Sequence, residues 1–363
     1  MRARRTMVGA AALAVALLAP GCDDSGSAAN LDASAAAARV AQFKCPTQAV
    51  NAGEARSGPA ASKLQVITTV APITSIVANV AGDRAEVHGV IPEGEDSHTY
   101  EPKPSVARLV SHADVIFVNG LKLEDPTKEI ATENAPKSAQ VVEMGTLTVT
   151  PDEYIYDFSF PKDGGKPNPH LWTDPPMASC YASIAASTMA NADPVNASYY
   201  QANAIAYIAK VNQLDSLMTA ATATIAPDNR KLLTYHDAYA YFAAHYGYDV
   251  IGAIQVSSFE DPTPKEVASL ITQIKTEKVP AIFGSEVFPS PVLAEIGKET
   301  GTKYVDKLRD DDLPGGPGDA DHSYLGLMKF DFVTMVSNLG GDASKLQAFD
   351  DADVANDSAD YPQ

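Results

Sequence analysis

Histidines at 98, 170 and 236 and an acidic run at 310–312 recur at near-equal intervals, each after a stretch that reads as a buried β-strand. They sit in GEDSHTYEPKP (94–104), NPHLWTDP (168–175), TYHDAYAYFAAHYGY (234–248) and LRDDDL (308–313). Successive separations of 72, 66 and about 75 residues rule out a local loop as the device that gathers them. Only a fold that brings distant strand ends to one cleft can do so. Three imidazoles and one carboxylate form a four-ligand set suited to a borderline divalent cation such as zinc. Such a set binds as neutral imidazole and ionised carboxylate, so affinity falls as histidines gain protons below about pH 6.5.

The elements that must position these residues alternate in type. LQVITTV (64–70), EVHGVI (86–91), DVIFVN (114–119) and QVVEM (140–144) form one series of strand-like runs. KLLTY (231–235), DVIGAI (249–254), AIFGSE (281–286) and KYVDKL (303–308) form a second. Several are short, rich in Val and Ile and not alternating, as strands covered on both faces should be. Helical stretches lie between them at 72–81, 104–113, 264–277 and 290–300, with Pro104 and Pro264 where a first helical turn tolerates proline. The pattern predicts an α/β fold of two lobes with mainly parallel sheets. Between the lobes, residues 197–226 contain no Gly or Pro, and Tyr200, Ala204, Tyr207, Ile208, Val211, Leu214 and Leu217 recur on one helical face. Asp193 and Asn196 offer caps upstream. One helix of that length would reach about 45 Å and restrain hinge bending.

The N-terminus points outside the cytoplasm. MRARRT precedes the apolar VGAAALAVALLAP, which is short for a membrane span, and LLAPGC then ends at Cys22. This order resembles a bacterial lipoprotein signal, with Ala19 where Leu is usual, and implies cleavage before Cys22 and lipid on its thiol. Residues 22–63, rich in Ala, Ser and Gly, are expected to be a flexible tether. Cys45 and Cys180 remain as an even pair in an oxidising compartment, which favours a disulfide over two free thiols. The formal net charge is −19, and loss of Arg2, Arg4 and Arg5 with the signal makes it −22. So acidic a chain is ill-suited to nucleic acid. The expected divisions are 1–21 signal, 22–63 tether, 64–192 first lobe, 193–227 connecting helix, 228–345 second lobe and 346–363 a disordered acidic tail.

Four segments taken in order resemble the metal-binding solute-binding lipoproteins of bacterial ABC importers for zinc and manganese, the cluster A-I (cluster 9) family. They are SHTYEPKP (97–104), NPHLWTDP, TYHDAYAYFAAHYGY, and LRDDDLPGG with SYLGLMKFDF (323–332), and the similarity spans about 64–342. Ser97, Ala240 and Asp331 stand where the family commonly has Pro, Gly and Asn, and the His-rich loop of many zinc members is absent from 120–168. The resemblance implies two α/β lobes joined by one rigid helix, with the metal in the inter-lobe cleft. It also implies a monomer held at the membrane by its lipid and delivering metal to a membrane-embedded permease.

On this basis His98, His170, His236 and Asp311 are the expected metal ligands. Aligning DDL with the family's aspartate–small–apolar step selects Asp311, with Asp310 next. Glu101 and Asp237 adjoin the expected ligands and either orient imidazole N–H groups or favour a helix N-terminus electrostatically. His88, His112, His245 and His322 read as structural or solvated, His322 being the nearest to the site. Three histidines suit zinc on softness, with manganese the alternative cargo. A metal-stabilised adhesin and a zinc hydrolase are the rivals from other classes. The chain has no HExxH, no Gly-x-Ser-x-Gly and no phosphate-cradling glycine loop, so enzymatic action is not expected.

Overall fold

Two four-stranded parallel sheets organise the described residues. The computed structural model describes residues 35–51, 53, 63–157, 159–254, 262–285 and 290–362. The first sheet holds β1 (Leu64–Thr68), β2 (Ala85–Gly89), β3 (Val115–Val118) and β4 (Gln140–Glu143) in the order β2-β1-β3-β4. The second holds β5 (Lys231–Thr234), β6 (Asp249–Ala253), β7 (Ala281–Ser285) and β8 (Lys303–Leu308) in the order β6-β5-β7-β8. All eight coincide with the Val/Ile-rich runs of the sequence. Every residue of β3 and of β7 is buried, which is why these strands carry no polar alternation. In each lobe the chain winds outward to one side of its first strand and then returns to the other. That reversal opens a crevice at the carboxyl ends of the strands, where α/β proteins hold ligands.

Helices cover the sheets. α1 (Ala71–Ala81) is buried along all of its length. α2 (Pro104–Val110), α3 (Asp125–Asn134) and α4 (Pro175–Ala192) complete the first lobe, each with proline in its opening turn. α5 (Ala197–Thr222) is continuous over 26 residues and, at about 1.5 Å per residue, about 39 Å long. Tyr200, Ala204, Tyr207, Val211, Leu214, Met218 and Ala221 form its buried face, while Ile208 and Leu217 are only partly covered. Its N-terminus is held otherwise than the sequence suggests. Asn196 makes no side-chain cap; its amide donates instead to Asp193 Oδ2 at 2.7 Å, as does the Tyr200 hydroxyl at 2.9 Å. The second lobe carries α6 (Ala240–Tyr246), α7 (Pro264–Glu277), α8 (Pro291–Thr300) and α9 (Tyr324–Asn338).

The apolar interior is unequal between the lobes. One core runs from the first sheet through α4 and α5 to the inner side of the second lobe, including Phe117, Trp172, Tyr207, Phe242 and Phe332. A smaller core lies apart from it and holds Leu233, Ile251, Ile274, Ile282 and Leu293.

Three expectations are corrected here. Residues 35–51, read as flexible tether, pack on the first lobe: Val40 and Ala49 are buried, and Cys45 is joined to Cys180 of α4 with 5.2 Å between Cα atoms. The acidic tail is docked rather than disordered. Leu346 and Phe349 are buried, Lys210 and Lys329 neutralise Asp350 and Asp351 at 3.0 Å each, and Asp360 bridges in parallel to His88 at the edge of β2. Two of its five aspartates meet lysines and its backbone finds a sheet edge, which composition does not reveal. Finally, His170 follows no strand. It lies in the irregular stretch between the short helix Met144–Thr148 and α4.

Candidate metal centre

Each loop that carries a candidate ligand is fixed by its own local bonds. His98 lies in the loop after β2, where Asp96 Oδ1 accepts the His98 N–H at 2.8 Å. His236 follows β5, and the Thr234 hydroxyl donates to its carbonyl at 2.6 Å. His170 opens a single 3-10 turn, Leu171–Thr173, and the Thr173 hydroxyl donates to both the His170 and the Ala238 carbonyls at 2.9 Å. That hydroxyl therefore ties His170 of the first lobe to the second lobe. The acidic loop leaves β8 between Arg309, whose N–H donates to the buried Asp331 at 3.0 Å, and the Trp172 indole, which donates to the Asp310 carbonyl at 2.8 Å. The Tyr239 hydroxyl reaches the other Asp331 oxygen at 2.7 Å, so one carboxylate holds both second-lobe loops.

These loops bring three imidazoles together. The Nε2 atoms of His98, His170 and His236 form a triangle with sides of 3.0, 3.0 and 2.9 Å. Around a tetrahedral ion with metal–nitrogen bonds of about 2.0–2.1 Å, such nitrogens stand about 3.3–3.4 Å apart. A small spreading of the triangle would therefore seat an ion. His170 is fully buried, and the His236 side chain is 11% exposed.

The protonation of the triangle follows from its neighbours. Asn168 Oδ1 accepts the His170 backbone N–H at 3.0 Å and contacts His170 Nδ1 at 2.9 Å. The Asn168 amide nitrogen is committed to Asp157 Oδ2 at 2.8 Å and the Asp237 carbonyl at 2.7 Å. Its oxygen can thus only accept, which places the proton on Nδ1 and leaves Nε2 of His170 as a bare lone pair aimed into the triangle. Burial pushes His170 well below the usual histidine range, with His236 and His98 adding to it. Burial does the same to His98, helped by His236 and Lys166. His236 behaves oppositely. Burial opposes its charge, but Asp310 and Asp311 outweigh this and raise it.

The carboxylates divide their work. Asp310 Oδ2 is 3.8 Å from His236 Nε2, while Asp311 accepts the Ser97 hydroxyl on Oδ2 and keeps a buried Oδ1 without a hydrogen-bond partner. Burial, then the neighbouring Asp310 charge, raises Asp311 to about 7. Among the described residues, the metal-holding group within 4.8 Å is the histidine triad alone. A carboxylate ligand from this loop therefore has a short approach to make.

The remaining sequence-based assignments sort plainly. Asp237 is buried and acts through its carbonyl on Asn168, whereas Glu101 is exposed and the expectation that it orients an imidazole does not match its position. His322 pairs with Glu93 at 3.1 Å, His245 with Asp174 at 2.6 Å and His88 with Asp360, all away from the triad. Sequence reasoning missed Asn168, Asp157 and Phe160, whose ring lies 5.7 Å from both His98 and His170. Only Asn168 left a trace, as the polar residue two before His170. Cys22 lies outside the described residues.

Residues 66–338 match the family model described as zinc-uptake complex component A, periplasmic. The chain belongs to this family. It is 29% identical over 277 residues to the manganese-binding lipoprotein MntA of Halalkalibacterium halodurans, covering 76% of this chain and 88% of that one. It is 28% identical over 270 residues to the iron ABC transporter substrate-binding lipoprotein MtsA of Streptococcus pyogenes, covering 74% and 86%. The fold is shared with the periplasmic zinc binding protein TroA of Treponema pallidum, at a TM-score of 0.69 and 23% identity over 77% of this chain and 99% of that one. The family is one of solute-binding components of metal importers and not of enzymes, which removes the hydrolase alternative.

Proposed function

We propose that this protein captures a single divalent transition metal, zinc in the first place, outside the membrane and hands it to an ABC permease. The observation that carries the reading is the convergence of three Nε2 atoms within about 3 Å, one of them held as a bare lone pair by Asn168. His98, His170 and His236 supply the nitrogens, and Asp311 closes the set through its unpartnered Oδ1 with Asp310 beside it. Three borderline nitrogens favour zinc over manganese, and so does the intrinsic affinity order. Manganese remains the alternative cargo because relatives are named for manganese and for iron. Membrane attachment through lipid on Cys22, and action as a monomer, complete the proposal.

Competitive titration of the mature protein against a calibrated chelator, with zinc and manganese in parallel, tests it. One tight zinc equivalent that displaces manganese is expected. Several loose equivalents would remove the closed site and bring the adhesin reading forward, in which the metal is only structural.

A further inference from the structure

Behind the triad, in the first lobe, lies a buried carboxylate that ligation does not use. Glu124 is 3% exposed and stands at the entrance to α3. Its Oε1 accepts the Asn119 N–H at 2.6 Å and the Thr69 hydroxyl at 2.8 Å, and its Oε2 accepts the Gly120 N–H at 3.3 Å. The three donors come from the end of β1 and from the turn after β3. That turn is unusual. Gly120, Leu121 and Lys122 all have left-handed backbones, with φ of 77°, 54° and 64°, a conformation that side chains at 121 and 122 disfavour. Such a run persists only where surrounding bonds over-determine it.

The turn aims one side chain. The Asn119 amide donates to the Pro169 carbonyl at 2.9 Å, and the Tyr181 hydroxyl at 2.5 Å donates to Asn119 Oδ1, which fixes the amide's orientation. Pro169 is the residue before His170. Because His170 follows no strand, its backbone has no sheet to hold it, and Asn119 supports the preceding carbonyl while Asn168 holds the His170 N–H. We infer that Glu124 and Asn119 are positioning residues for the metal site. Glu124 locks the left-handed turn so that Asn119 holds the Pro169 carbonyl and sets the direction of the His170 imidazole. This rests on His170 being a ligand.

The test compares Asn119→Ala, Glu124→Ala, Glu124→Gln and His170→Ala with the wild type. Zinc affinity is read by chelator competition, and ligand geometry by the visible absorption of the cobalt(II) form, which a merely structural defect in a folded protein would leave alone. Asn119→Ala and Glu124→Ala are expected to lose about 10–100-fold in affinity, the range for partners outside the ligand set, with an altered cobalt spectrum and unchanged far-UV circular dichroism. Glu124→Gln keeps an oxygen for Asn119 and Thr69 and should restore most of the affinity. Folded Asn119→Ala with wild-type affinity and spectrum would overturn the inference, and it decides alone if Glu124→Ala does not fold. Should His170→Ala itself bind like the wild type, the ligand assignment falls instead, and the two failures are told apart.

Discussion

The two walls of the metal cleft solve opposite electrostatic problems. On the first-lobe wall, His98 and His170 are held neutral by burial; the Phe160 ring lies against both and Trp172 against His170. On the second-lobe wall, His236 faces Asp310 and Asp311 and is raised above the usual histidine range. One wall offers lone pairs that need no proton removed. The other stores negative charge, which the incoming cation must find ionised. The contrast teaches that affinity at fixed geometry belongs to the first wall and pH dependence to the second.

Removing a ligand from the first wall breaks the comparison most severely. His170→Ala should weaken zinc by more than about 100-fold, beyond the range for outer partners, in a chelator competition at pH 7.5. On the second wall, Asp311→Ala should cost more affinity than Asp310→Ala. The reverse order would hand the ligand role to Asp310, whose oxygen is the one 3.8 Å from His236. Next comes Asn168→Ala, expected to lose about 10–100-fold because His170 Nδ1 loses its acceptor.

The pH profile sharpens the contrast further. His236 is raised above the usual histidine range and Asp311 to about 7, so His236 keeps its proton to higher pH than a free imidazole, Asp311 gains one as the pH falls through about 7, and the metal must displace both. Affinity should fall by about tenfold per pH unit for each displaced proton as the pH drops through this window. His98 and His170, already neutral there, add nothing to the slope. Calorimetry in buffers of different ionisation heat counts the protons released, and zero release at pH 6.5 would contradict the assignment. The smallest effect on binding belongs to Cys45→Ser with Cys180→Ser. This pair spans 135 residues, so its loss should lower folding stability by about 2–4 kcal/mol by chemical denaturation while zinc affinity stays within error.

Much of this architecture was legible in the residues. Runs such as VIFV in β3 and AIFGS in β7 announce strands buried on both faces, because no polar alternation interrupts them. Pro104 and Pro264 mark helix starts through their missing N–H, and both helices begin there. The tail was misread because acidic composition reports solvation in isolation and is blind to Lys210, Lys329 and the open edge of β2. Residues 35–51 were misread because the Ala, Ser and Gly of the whole 22–63 stretch hid the apolar Val40 and Ala49, which are buried beside the bond that joins Cys45 to Cys180.

The sequence by itself determined the strand and helix series, the types of residue able to bind a metal, and the long uninterrupted helix between the lobes. Each of these is written in local periodicity or in side-chain chemistry. The tertiary structure alone decided which groups stand behind those side chains. Asn168 fixes the His170 tautomer only because Asp157 and the Asp237 carbonyl occupy its amide, and Ser97 reaches Asp311 across 214 residues of chain. Proton positions and carboxylate charge depend on such distant neighbours through burial and Coulomb interaction, and neither has a period that a linear reading can detect.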